Sequence, residues 1–106
     1  MIEKEKQRLA EQMTKNLPAL RVKLGVSQSR FCNLVGISKS TIIGIENHRV
    51  KMTWAQFLTI FIFFFLNAKS AILLPPMDMD VSDVTKCLQA DGNFDEYDSP
   101  ERREYF

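Results

Sequence analysis

The residues around Gly36 constrain the fold of this chain more than any other part of the sequence. Gly36 suits the end of one helix, and Ser38, two residues later, is a residue type that caps the start of another. Ser27 can cap the earlier helix in the same way. Apolar residues follow each serine at helical spacing, namely Phe31, Cys32, Val35, Ile42 and Ile45. Two short helices over residues 28–35 and 39–47, joined by a turn that contains glycine, are therefore predicted to form a helix-turn-helix.

A longer amphipathic helix is predicted ahead of this unit. Apolar residues recur every four positions between residues 9 and 17, among charged and amide side chains, which is the apolar stripe of a helix. Pro18 cannot continue a helix without kinking it, so we expect a break near Asn16. A second helix then begins near Pro18 and ends at Gly25.

The second half of the chain is also predicted to be helical. Thr53 can cap a helix over residues 54–66, and Pro75-Pro76 stops the helical pattern before a last helix that starts near residue 82. We therefore expect an all-α fold, a compact five-helix unit with an additional C-terminal helix or tail. Its expected parts are an N-terminal amphipathic helix, a helix-turn-helix domain and a partly ordered acidic segment, over residues 1–16, 17–74 and 75–106.

Charge is divided unevenly along the 106 residues. Residues 1–77 carry eleven basic and four acidic side chains, a net charge of +7, whereas residues 78–106 carry three basic and nine acidic ones, a net charge of −6. A basic body attracts polyanions, and an acidic segment can repel or imitate them. The segment could thus compete with a polyanion for the body, act as a dimerisation arm or contact a protein partner, and solvated faces of no special role remain the alternative.

Several classes of function are not expected. Cys32, Cys87 and His48 are too few to form a disulfide framework or a four-ligand zinc site, and no glycine-rich phosphate loop follows a strand. We therefore predict no enzyme activity, no metal and no cofactor. The N-terminus is charged rather than a secretory signal, and the apolar run over residues 54–66 is shorter than the roughly 20 residues that span a bilayer. A cytoplasmic protein without a membrane anchor is expected.

Residues 17–66 resemble the lambda-repressor-like, or xenobiotic-response-element, family of helix-turn-helix transcriptional regulators. The resemblance rests on Leu20-Arg21, Leu24-Gly25-Val26-Ser27-Gln28, Phe31-Cys32, Gly36-Ile37-Ser38-Lys39-Ser40-Thr41-Ile42 and Ile45-Glu46-Asn47. It implies a regulator, most often a repressor, that binds a specific sequence of double-stranded DNA without a cofactor. His48 departs from the family, which usually has glycine at this position. We therefore expect Asn47 or His48 to adopt the left-handed backbone conformation there.

The resemblance also implies a role for individual residues. The helix that starts after Ser38 lies in the major groove, where its exposed residues contact base edges. The base-reading residues would be Lys39, Ser40, Ile43 and Gly44. The residues that contact phosphates would be Gln28, Thr41, Asn47, Arg49 and Lys51. An ion pair between Arg21 and Glu46 would fix the orientation of the reading helix.

The aromatic helix has more apolar surface than one domain can hide. Its large side chains are Trp54, Phe57, Phe61, Phe64 and Phe65. Some would pack under the reading helix, and the rest would form the contact of a homodimer, since family members often bind near-palindromic sites as twofold dimers. Alternatively, residues 71–90 fold back over the helix within one chain. A protein-interaction module of the same fold, such as an antitoxin-like one, is the competing functional hypothesis.

Overall fold

The computed structural model describes residues 2–89, and six helices make up the regular secondary structure of that range. They are α1 Ile2–Leu24, α2 Gln28–Val35, α3 Lys39–Glu46, α4 Trp54–Leu66, α5 Ala68–Ala71 and α6 Val81–Leu88. The predicted all-α class is therefore confirmed. The expectations for the acidic residues 90–106 lie outside the described residues. Across residues 2–89, no helix has both the length and the apolar character needed to cross a bilayer.

Helix α1 is continuous and contains Pro18 in its interior. The predicted break near Asn16 is wrong, and the domain boundary expected there falls inside a helix. Proline inside a helix costs about 3 kcal/mol, whereas burial of one leucine side chain contributes about 1.5–3 kcal/mol. Leu17 and Leu20 are fully buried and Pro18 is exposed, so the two leucines offset the cost of the proline.

The three predicted N-terminal caps are confirmed. Ser27, Ser38 and Thr53 each accept a hydrogen bond from the backbone N–H three residues later. Gln56 also accepts a bond from the Thr53 N–H at 2.9 Å, which completes a capping box at the start of α4. Gly36 ends α2 with a left-handed φ of 71°, so residues 36–38 alone connect α2 to α3. The helix-turn-helix connection thus follows from local chemistry.

The core lies between α1 and α4, and α1 also packs against α3, α5 and α6. The fully buried side chains of α1 and α4 are Leu9, Met13, Leu17, Leu20, Phe57, Ile60 and Phe64. Phe31 joins α2 to this core, because its ring stacks on Phe64 with 5.7 Å between centroids. Ile42 and Ile45 of α3 are fully buried, as predicted. Helices α2 and α3 are therefore anchored on the same core as the aromatic helix.

Helix α6 completes the core by packing on α1. Val84 and Cys87 are buried in this contact, whereas Leu88 is 58% exposed. Arg8 of α1 reinforces it with ion pairs to Asp78 at 2.8 Å and Asp83 at 3.3 Å. The first part of the acidic segment thus belongs to the folded body rather than to a separate tail.

Candidate nucleic-acid interface

A nearly buried ion pair connects α1 to the end of α3. Arg21 Nε donates to Glu46 Oε2 at 2.8 Å and Arg21 Nη2 donates to Glu46 Oε1 at 3.0 Å, and the two side chains are 13% and 9% exposed. Gln28 Nε2 donates to the same carboxylate at 2.9 Å, and Arg21 Nη1 donates to the Val26 carbonyl at 3.2 Å. The pair expected from the resemblance is present. It holds α1, the start of α2 and the end of α3 in one arrangement.

The start of α3 is open to solvent. Lys39 and Ser40 are exposed, and Ile43, one turn further on, is half-buried. Ser38 donates its hydroxyl proton to Thr41 Oγ1 at 2.8 Å while it caps the helix. This end of α3 therefore presents an ammonium group, a hydroxyl and the positive end of the helix dipole to any partner that approaches it.

Gly44 does not take the position predicted for it. It is buried, and a Cβ atom at this position would lie 3.0 Å from Val50 Cγ2. The Gly44 carbonyl accepts hydrogen bonds from Arg49 N at 2.8 Å and Val50 N at 3.3 Å. The prediction that Gly44 faces outward is therefore wrong, because the chain after α3 folds back over it. Absence of a side chain at this position allows that close approach.

Most of the predicted phosphate contacts follow α3. Asn47, Arg49 and Lys51 are all exposed. His48 takes the left-handed conformation, with φ of 61°, while Asn47 has φ of −92°. The departure from the family's usual glycine is thus accommodated by one of the two expected residues. Since α3 has eight residues, or about 12 Å of helix, this loop lies at the opposite end of α3 from Lys39.

Two other predicted phosphate contacts are already engaged within the protein. The side-chain amide of Gln28 donates one of its two N–H groups to Glu46. Thr41 is half-buried, and its hydroxyl oxygen accepts the bond from Ser38. Each side chain keeps one donor hydrogen that is not used in these bonds, the second amide N–H of Gln28 and the hydroxyl hydrogen of Thr41. Both residues nevertheless make hydrogen bonds within the protein.

The aromatic helix has a buried face and an exposed one. Phe57, Phe61 and Phe64 are buried, and Trp54 is half-buried. The other face carries an apolar row at helical spacing, called the α4 stripe, which consists of the half-buried Leu58 and the exposed Ile62, Phe65 and Leu66. Ile62, Phe65 and Leu66 are 52%, 44% and 75% exposed even though α6 folds back, because α6 packs on α1. The alternative in which residues 71–90 cover this helix is not met at the stripe within the described residues 71–89.

The cysteines offer little nucleophilic chemistry. Burial raises the pKa of the Cys32 thiol and of the Cys87 thiol above the ordinary range. Both groups are therefore protonated at neutral pH, and the thiol is a poor nucleophile compared with the thiolate. Within residues 2–89, no three histidine, cysteine, aspartate or glutamate side chains are grouped as metal ligands would be.

Sequence reasoning missed a groove between α1 and the loop of residues 48–52. We call it the α1–loop groove, and its walls include Lys6, Ala10, Lys15, Lys51, Met52 and Trp54. The one signal in the sequence is the small side chains at positions 10 and 14 of α1, beside the stripe of large apolar ones. The opposite wall comes from a loop more than thirty residues away, which no periodicity identifies.

Comparison of the chain with protein-family models, with curated proteins and with solved structures finds no match.

Proposed function

We propose that this protein is a sequence-specific transcriptional regulator, a repressor of the lambda-repressor-like kind, that binds double-stranded DNA and reads the major groove with α3. The observation that carries the proposal is the Arg21–Glu46 pair. It fixes the end of α3 against α1 and α2 while the start of α3 remains exposed. The recognition helix of a helix-turn-helix protein lies in the major groove with its N-terminal residues at base edges, and an α3 that is anchored at its end and exposed at its start fits that arrangement.

Side-chain chemistry assigns base contacts to three residues. Lys39 can donate to O6 or N7 of guanine, and Ser40 can donate or accept. Ile43 can contact the methyl group of thymine, because part of its side chain remains accessible. Gly44 is removed from this set, since Val50 covers it.

Phosphate contacts are assigned to the two ends of the reading unit. Asn47, Arg49 and Lys51 supply exposed donors after α3. Gln28 and Thr41 supply the remaining donor capacity near the starts of α2 and α3, where helix dipoles favour an anion. Such contacts set the register of the protein on the duplex and carry no sequence information themselves.

The α4 stripe supports a homodimer. Three exposed apolar side chains, Ile62, Phe65 and Leu66, beside the half-buried Leu58 are an unusual cost for a monomer, and a second copy would bury them symmetrically. Two reading helices would then meet half-sites separated by about 34 Å, one turn of DNA.

The same stripe favours the second candidate function, a protein-interaction module. The Ile62→Gln variant separates the two candidates. The second one is supported if the protein is a monomer, if the variant binds DNA as the wild type does, and if the variant no longer binds a protein partner.

Paired lysine substitutions test the assignment of roles. Lys39→Ala should relax sequence preference, because the lost contact is to a base. Lys51→Ala should weaken binding to all duplexes and reduce the slope of log K against log salt by about one unit. Lys69→Ala, an exposed lysine on α5, is the matched control and should change neither property. Equal affinity of all four proteins for every duplex would refute the docking arrangement.

A further inference from the structure

The α1–loop groove has the size of a small-molecule site. Its volume is about 620 Å³, and ligand pockets commonly measure roughly 300–1,000 Å³. One wall is formed by residues 3–15 of α1 and the other by the loop that leads from α3 to α4. The groove is therefore formed by elements far apart in sequence and exists only in the folded chain.

The floor of the groove is apolar and rigid. Ala10 and Met52 are 8% and 7% exposed, and each forms part of its lining. Trp54 is half-buried at its edge, and its ring stacks on Phe57 with 5.0 Å between centroids and 9° between planes. Because Phe57 is fully buried, the indole ring is held in place before any ligand arrives. Phe57 covers one face of the indole ring, so a flat ring would pack against the remaining surface of this fixed aromatic group.

The rim of the groove is positively charged. Lys6, Lys15 and Lys51 line it, against Glu3 and Glu11. The Lys6–Glu3 contact is long, at 3.7 Å, and Glu3 is 81% exposed, so this pair contributes little. Among residues 2–89, no carboxylate lies within ion-pair distance of Lys15 or Lys51. The rim therefore has ammonium groups available for an incoming anion.

We propose that the α1–loop groove binds a small aromatic carboxylate, with its ring against Trp54 and Met52 and its carboxylate at the lysines of the rim. Apolar floor and cationic rim are complementary to such a molecule, which has one flat apolar end and one anionic end. Lys6, whose Nζ lies 5.6 Å from the centre of the Trp54 ring, is placed to contact both ends.

Binding at the groove lowers the affinity for DNA. Lys51 belongs both to the groove and to the set assigned to phosphate contacts, so a carboxylate bound to Lys51 competes with a phosphate for the same ammonium group. The groove would thus receive an effector that releases the regulator from DNA. This coupling rests on the proposed function, whereas binding of the aromatic carboxylate does not.

The single tryptophan of the chain allows a direct test. The indole N–H signal of Trp54 in the ¹⁵N-labelled full-length protein is followed during titration with 1-naphthoate. We expect a saturable shift, and about tenfold weaker binding of the neutral 1-naphthylmethanol and of the non-aromatic cyclohexanecarboxylate. No saturable shift, or an equal shift with the neutral alcohol, overturns the proposal. An equal shift with inorganic phosphate also overturns it, because that result shows an anion patch only.

Matched lysine variants locate the site and separate the two proposals. Lys15→Glu should weaken naphthoate binding about tenfold, while Lys23→Glu, an exposed lysine of α1 outside the groove, should leave it unchanged. Equal weakening in both variants overturns the placement. Naphthoate should reduce the DNA binding of the wild-type protein, and the reduction should be smaller for the Lys15→Glu variant. Since the indole titration contains no DNA, failure of DNA binding leaves the test of the groove intact.

Discussion

Replacement of Arg21 by methionine should destabilise the protein by about 3 kcal/mol, because it leaves a nearly buried carboxylate without its cation. Glu46 receives three hydrogen bonds, two from Arg21 and one from Gln28, and only the last survives the substitution. Removal of one partner from a buried pair costs about 3–5 kcal/mol. The residual exposures of 13% and 9% place this pair at the lower end of that range.

A second substitution should restore most of the stability. In Arg21→Met combined with Glu46→Leu, no charge remains buried, so the free energy of unfolding should return to within about 1 kcal/mol of the wild type. The assay is urea unfolding followed by helical circular dichroism, with Arg30→Met, an exposed arginine on α2, as the control. The control should change stability by less than about 0.5 kcal/mol.

The double-mutant cycle decides whether the pair is coupled. A coupling energy of at least about 2 kcal/mol is expected between Arg21 and Glu46. The reasoning is refuted if Arg21→Met costs under about 1 kcal/mol, the range of an exposed ion pair, or if the two single effects simply add. Either result would mean that the pair does not fix α3, and the support for the proposed function would be lost with it.

Three further predictions concern other parts of the fold. Alanine favours a helix more than glycine does, but a Cβ at position 44 would lie 3.0 Å from Val50. Gly44→Ala should therefore raise the Tm more in a Val50→Ala background than in the wild type. Equal changes of Tm in the two backgrounds would contradict this. The hydrogen bond from Arg8 lowers the pKa of Glu5, so Glu5 stabilises the fold above its ordinary pKa and this contribution is lost as pH falls through the lowered folded pKa. Urea unfolding of Arg8→Met at pH 6 and at acid pH should therefore show a weaker loss of stability below about pH 4.3 than the wild type does. Truncation after Gln89 removes acidic residues while keeping α6, so DNA affinity at low salt should rise if the segment competes with DNA; an unchanged or lower affinity, measured by fluorescence anisotropy, would exclude that role.

The caps could be predicted from sequence because each depends on a few consecutive residues. Ser27, Ser38 and Thr53 each bond within three residues of their own position, so the pattern alone locates three helix starts. The continuous helix through Pro18 could not be predicted from neighbouring residues. Its local effect is to break a helix, and the burial of Leu17 and Leu20 against distant elements overrides it.

The candidate site was predictable only where one helix determines it. The exposure of Lys39 and Ser40 follows from the helical spacing of the buried isoleucines of α3. The same spacing misplaced Gly44, because the loop that covers it has no periodicity of its own. The internal bond of Gln28 to Glu46 and the α1–loop groove depend on how separate elements approach each other, which a single sequence does not reveal.

Selection of bound duplexes from a randomised DNA library tests the central claim most directly. Purified full-length protein is used at two salt concentrations, and its mass in solution is measured alongside. The account predicts a dimer that enriches a near-palindrome with half-sites about 34 Å apart. The contradicting result is the absence of any enriched sequence, with weak binding that disappears as salt rises, because that behaviour requires only a nonspecific basic surface.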